Sequence, residues 1–129
     1  VSYLLDSNIV IALLANDHAT LQLLDRIAET GVSISAISYM EVSQGFHQIP
    51  GTDRRIFDEL IASLAVIPID IAIAERCARI RADLHFQRRR VRPRSLDLLI
   101  AATAIEHEMI LVTRNVGDFE DLPDLLLHR

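Results

Sequence analysis

Four acidic residues stand where apolar runs break. Asp6 follows "YLL", Glu41 lies in "YMEVSQG", Asp97 in "SLDLLIAATAIEH" and Asp118 in "TRNVGDF". Carboxylates brought together either share protons or hold a cation. A close pair repels by about 4 kcal/mol at an effective dielectric near 20, so a convergent set requires a cation to be tolerable. An oxygen-only donor set suits Mg²⁺ or Mn²⁺. Zinc spacing is absent, because His107-Glu108 lacks the second histidine of a zincin helix.

Each acid also has an ordinary explanation. Ser38-Tyr39-Met40-Glu41 has the form of a capping box, with Glu41 in the first turn of its helix. Asp97 near a helix start gains from the macrodipole. Asp6-Ser7-Asn8 reads as an N-cap cluster, and Gly117-Asp118 as turn chemistry. What separates the readings is whether the four meet.

The elements that must position them follow from apolar patterning and punctuation. "YLL", "VSISA", "VIPI", "MILVT" and "LLL" read as strands. "SNIVIALLAND", "HATLQLLDRIAETG" ended by Gly31, "SYMEVSQGFHQ", "TDRRIFDELIASLA", a helix from Asp70 to about Gln87 and "SLDLLIAATAIEH" read as helices. Strands alternating with helices predict one α/β domain over residues 1–129, a twisted, mainly parallel sheet with helices on both faces. In such a sheet the strand C-termini and helix N-termini share one edge, where ligands bind. Asp6, Glu41, Asp97 and Asp118 all map to that edge.

Composition narrows the function classes. The 129 residues carry a net charge of −5, which argues against nucleic-acid binding by bulk charge. The 13 basic residues are all arginine, and five of them lie in Arg88–Arg94. Without lysine the chain lacks a Schiff-base nucleophile and a P-loop. No apolar run reaches the ~18 residues of a membrane span, and the first residues lack a signal-peptide pattern. The single cysteine, Cys77, reads as a small buried hydrophobe in a reducing, cytoplasmic setting.

"YLLDSN", "EVSQG", "LDLLIAATA" and "LVTRNVGDF", in that order and spacing, resemble the PIN-domain nucleases. Within that superfamily, size and wording are similar to the VapC-type toxins of toxin–antitoxin pairs. The resemblance implies a Mg²⁺- or Mn²⁺-dependent endoribonuclease, with Asp6, Glu41, Asp97 and Asp118 as the acidic set. Asp6, Asp97 and Asp118 would ligate metal, and Glu41 would ligate it or orient the attacking water. Asn8 and Thr113, with Ser7 and Asn115, would be the polar helpers. It also implies an RNA substrate, a cognate antitoxin covering the groove, and a homodimer.

The arginine run departs from many relatives. It reads either as a solvated helix end or as a phosphate-guiding rim in which Arg89, Arg90 and Arg92, with Arg114 from the acidic loop, hold RNA. Arg114 has a bland alternative, pairing with Glu120 or Asp121. The competing functions are a non-catalytic PIN-like module acting within an antitoxin–DNA complex, and a haloacid-dehalogenase-type phosphatase. The latter expects a second acid where this chain has Asn8, and a lysine it lacks. Flap-nuclease relatives that cut DNA are larger and carry more acids.

Overall fold

The first strand, β1 (Tyr3–Leu5), is the middle of the sheet and sends its side chains alternately to two cores. Leu4 packs into one apolar cluster and Leu5 into the other. The computed structural model describes residues 1–89 and 94–129. Arg90 and Arg92, two of the expected RNA-binding residues, lie outside the described residues.

Beyond β1 come β2 (Val32–Ser35), β3 (Ala65–Ile67), β4 (Ile110–Val112) and β5 (Leu126–Leu127). Their order in space is β3-β2-β1-β4-β5, and every pairing is parallel. All four residues of β2 are buried, so "VSIS" has no solvent face. A parallel strand between crossover helices is covered on both sides. Pro68 has no N–H to give to the ladder, which fits the end of β3 at Ile67, two residues short of the predicted strand.

Four helices cover one face: α1 (Ser7–Leu14), α2 (His18–Ile27), α3 (Ala36–Gln48) and α4 (Arg55–Ser63). Ile9, Val10, Leu13, Ile27, Val42 and Phe57 bury their side chains there against Leu5, Ile34 and Val112. The other face takes α5 (Ile71–Phe86) and α6 (Ser95–Glu106). Asp70 caps α5 through Ile73 N–H at 2.9 Å, as its position predicted. Between α1 and α2 the chain turns through Asn16 at φ 57°, and Asp17 caps α2. Gly31, at φ 102°, lets the chain leave the 3-10 turn that follows α2 and enter β2.

Helix α6 is buried nearly all round. Leu98, Ile100, Ala101, Ala102, Thr103 and Ala104 are all inaccessible to solvent, and α5 packs along it. The alanines make that approach possible. Cys77, on α5, is buried in the same core, and burial pushes its thiol up from its ordinary value.

The capping-box reading of Ser38 and Glu41 is incorrect. Helix α3 starts a turn earlier, because Ser35 leaves β2 with extended backbone and its own hydroxyl accepts from Ser38 N–H at 3.1 Å. Glu41 therefore falls in the second turn, free to serve a partner outside its helix. The Ser38 hydroxyl is itself buried and has no hydrogen-bond partner among the described residues.

Candidate active site

Strand order reverses between β1 and β4: β2 and β3 lie to one side of β1, β4 and β5 to the other. The crevice beyond the carboxyl ends at such a reversal is where open parallel sheets bind ligands. Leu5 is paired with Val112, so the next residues, Asp6 and Thr113, flank that crevice. Thr113 Oγ1 donates to Asp6 Oδ2 at 2.7 Å across it, and the Asp6 amide bonds to Val112 O at 2.9 Å.

Asp6 is 5% exposed, and its carboxylate is held from several directions. As N-cap of α1 it accepts from Ser7 N–H at 2.8 Å through Oδ1. The Ser7 hydroxyl lies 3.3 Å from the same oxygen and 2.9 Å from Glu41 Oε1. One hydroxyl has one proton, so the shorter contact marks Glu41 as its acceptor. Ser7 thereby joins the first acid to the second, which comes from α3 on the neighbouring strand.

Thr113 uses its full hydrogen-bonding capacity. Besides donating to Asp6 it accepts from Asn8 Nδ2 at 3.4 Å and from Asn115 N–H at 3.1 Å. Asn8 Oδ1 in turn accepts from Arg114 N–H at 3.3 Å. The expected helpers Ser7, Asn8 and Thr113 thus meet as side chains. Asn115 enters through its main chain.

Asp97 sits in the first turn of α6, half-buried, and Asp118 ends the 3-10 turn Val116–Asp118 beyond β4. The Asp97 carboxyl is pushed up to about 6, first by burial and then by the negative charges of Asp6, Glu41 and Asp118, with Arg94 pulling the other way. The charges of three acids from other parts of the chain therefore reach Asp97. Their convergence is electrostatic: among the described residues, no group of three or more acidic, histidine or cysteine side chains stands close enough to hold a metal ion as placed. The donor chemistry still fits an oxygen-preferring divalent cation. All four are carboxylates, and the repulsion Asp97 feels is what such an ion relieves.

The arginines separate into two kinds. Arg89 and Arg114 have half-exposed side chains, each paired with one acid. Arg89 reaches Asp121 at 3.3 Å and Arg114 reaches Asp17 at 2.9 Å. The alternative pairing of Arg114 with Glu120 or Asp121 is not made: Glu120 binds Arg129, and Arg114 turns back to Asp17 and Thr20. Arg94, in contrast, is 18% exposed and bidentate to Asp121 at 2.7 and 2.8 Å. Sequence reasoning placed Arg94 only within the charged run and gave Asp121 no role at the site, because nothing in their spacing announces a pair 27 residues apart.

A cavity of about 480 Å³ lies beside Asp118, lined by Arg89, Arg94, Gly117, Asp118, Glu120 and Asp121. On the other flank, an apolar groove of about 250 Å³ runs from Glu41 past Ile11, Leu14, Val42, Gly45 and Phe46.

Known proteins resemble this chain over nearly its whole length. The family described as PIN domain matches residues 3–125. A protein of Shigella flexneri named tRNA(fMet)-specific endonuclease VapC is 30% identical over 120 residues, covering 92% of this chain and 89% of its own. Ribonuclease VapC1 of Rickettsia felis is 37% identical over 97 residues, 71% of each chain. Among solved structures, VapBC2 of Rickettsia felis bound to a fragment of its promoter DNA superposes with a TM-score of 0.88 at 24% identity, covering 99% of this chain and 98% of its counterpart.

Proposed function

The chain belongs to the PIN-domain family, with VapC endonucleases among its relatives, and on that premise we propose that it is a Mg²⁺- or Mn²⁺-dependent endoribonuclease, the toxin of a toxin–antitoxin pair. The observation that carries the metal-dependent reading is Asp97, whose carboxyl is raised to about 6 by burial and by Asp6, Glu41 and Asp118 together. The mutual repulsion felt at Asp97 opposes folding of the metal-free chain. A bound divalent cation would relieve it.

In this reading Asp6, Asp97 and Asp118 hold the metal. Bound there, the cation would acidify the attacking water and neutralise charge on the leaving oxygen of an RNA phosphodiester. Asp6 is kept in one orientation by Thr113, with Asn8 and Asn115 N–H securing Thr113 in turn. Glu41, tethered by Ser7, adds its charge to the same site and orients the water for in-line attack.

Arg89 and Arg114 hold the substrate backbone. Each exchanges a carboxylate partner for a phosphate, so binding weakens with salt. Arg90 and Arg92 belong to the same set on sequence grounds alone. A solvated charge run would not need Arg89 beside the Asp118 cavity, and its position there supports the phosphate role.

The antitoxin is a protein segment that lays apolar side chains in the groove between α1 and α3 and ends beside Glu41. Exposed Ile11 at its edge supports that use. The active form is a homodimer that joins its antitoxin in a larger assembly, and the proposed setting is the cytoplasm. No described helix is long and apolar enough to cross a membrane.

The test is cleavage of total RNA by the purified protein. Loss of cleavage in EDTA and its return with Mn²⁺ are the expected results. A protein that binds promoter DNA with an antitoxin yet never cuts RNA under any divalent metal would instead be the non-catalytic module.

A further inference from the structure

Arg94 immediately precedes α6 and occupies its N-cap position, yet its side chain makes no capping bond. The guanidinium turns instead to the loop after β4. There Nη1 and Nη2 grip both oxygens of Asp121 at 2.8 and 2.7 Å, and Nη2 also donates to the main-chain carbonyl of Asp118 at 3.0 Å. The two side chains are 18% and 20% exposed, well below Arg89, which touches Asp121 once from a half-exposed position. The turn is braced from inside as well: Asp118 N–H bonds to Asn115 O at 3.0 Å, and Phe119 is buried in the core.

One guanidinium therefore ties the start of the helix carrying Asp97 to the turn carrying Asp118. These two carboxylates repel each other, and the guanidinium bridges their two elements at this edge. We propose that Arg94 and Asp121 form a clamp that positions Asp118 relative to Asp97, making Arg94 a positioning residue and not one of the arginines that hold RNA. The geometry supports this because both terminal nitrogens are committed inward. A planar fork matched to a carboxylate also fixes orientation, which a lysine ammonium does not. The proposal rests on the metal-dependent reading above and adds to it how the third metal-holding acid is set.

The experiment measures Mn²⁺ binding by electron paramagnetic resonance in the absence of RNA, for the full chain and for Arg94→Lys and Asp121→Asn. RNA cleavage is then followed across Mn²⁺ concentrations. Both variants should bind Mn²⁺ about 10-fold more weakly, the scale on which groups that orient metal ligands act. Their kcat should recover as Mn²⁺ is raised, with KM for RNA unchanged. The double variant should be no worse than either single one, since both break the same clamp.

Mn²⁺ affinity equal to wild type in folded Arg94→Lys and Asp121→Asn would overturn the clamp. So would a raised KM for RNA with unchanged Mn²⁺ affinity, which would make Arg94 a phosphate contact. Melting temperatures establish that the variants are folded, and the Asp121→Asn arm decides if Arg94→Lys is not. A wild-type protein that binds no Mn²⁺ at all would overturn the metal-dependent reading itself, a result distinct from either.

Discussion

The Thr113 hydroxyl donates to Asp6 Oδ2 at 2.7 Å and thereby joins the ends of the two strands at which the sheet changes direction. No other side-chain hydrogen bond among the described residues binds Asp6 to the far side of that crevice. It also leaves Thr113 as acceptor for Asn8 and Asn115 N–H, so a single hydroxyl organises one wall of the site.

Thr113→Val keeps the shape and removes that hydroxyl. The variant strands a buried carboxylate oxygen and two donors, which costs about 1–3 kcal/mol in chemical denaturation. It also lowers RNA cleavage by about 10- to 100-fold, the range for groups that orient metal ligands. Thr113→Ser retains the donor and stays near wild type in both measurements.

Asp97→Asn separates stability from activity. In the unfolded chain Asp97 titrates near its ordinary value of 3.8, and in the folded chain at about 6. Between those values the folded state binds more protons, so the group's contribution to stability falls as pH rises through that window and stays low above it. Removing the charge therefore stabilises the metal-free protein at pH 7. The full shift corresponds to about 3 kcal/mol, and solvent screening at a half-buried carboxyl reduces the expected gain to about 1 kcal/mol. Denaturation at pH 7 should show the gain and at pH 4 should not, while Mn²⁺-dependent cleavage is lost.

The same titration predicts how acid affects metal binding. A proton on Asp97 competes with the cation, so apparent Mn²⁺ affinity is level above about pH 6 and falls by up to about 10-fold per pH unit below it. Calorimetric titrations at pH 7.5, 6 and 5 would reveal the slope. In Asp97→Asn that slope disappears.

Charge reversal at Arg89 tests the RNA surface. Arg89→Glu should weaken RNA binding and flatten its salt dependence by about one unit of slope, with Mn²⁺ affinity little changed. Filter binding across ionic strengths measures it. An unaltered RNA affinity would return Arg89 to the role of a solvated helix end.

Much of the site was legible in the sequence because the fold class converts local breaks into a shared edge. Once "YLL", "VSIS" and "MILVT" are parallel strands, the acids after them fall at one edge of the sheet, and the strands do form one all-parallel sheet. What was misread depended on a boundary or on tertiary pairing. Ser38 and Glu41 match a capping box, but Ser35 caps first and moves Glu41 into the second turn. Arg114 finds Asp17, the cap of α2, in place of the acids nearer in its own loop. The Arg94–Asp121 pair is set by how α6 meets the turn after β4, which residue types alone do not encode.

The central claim is that Asp6, Glu41, Asp97 and Asp118 together make one divalent-cation site. Calorimetric titration of Mn²⁺ into the wild-type chain and into Asp6→Asn, Glu41→Gln, Asp97→Asn and Asp118→Asn tests it most directly, with Asp124→Asn, another acid outside the four, as the control. The account predicts a single class of site in wild type and control, weakened in each of the four variants. Wild-type affinity no stronger than that of the four variants would contradict it.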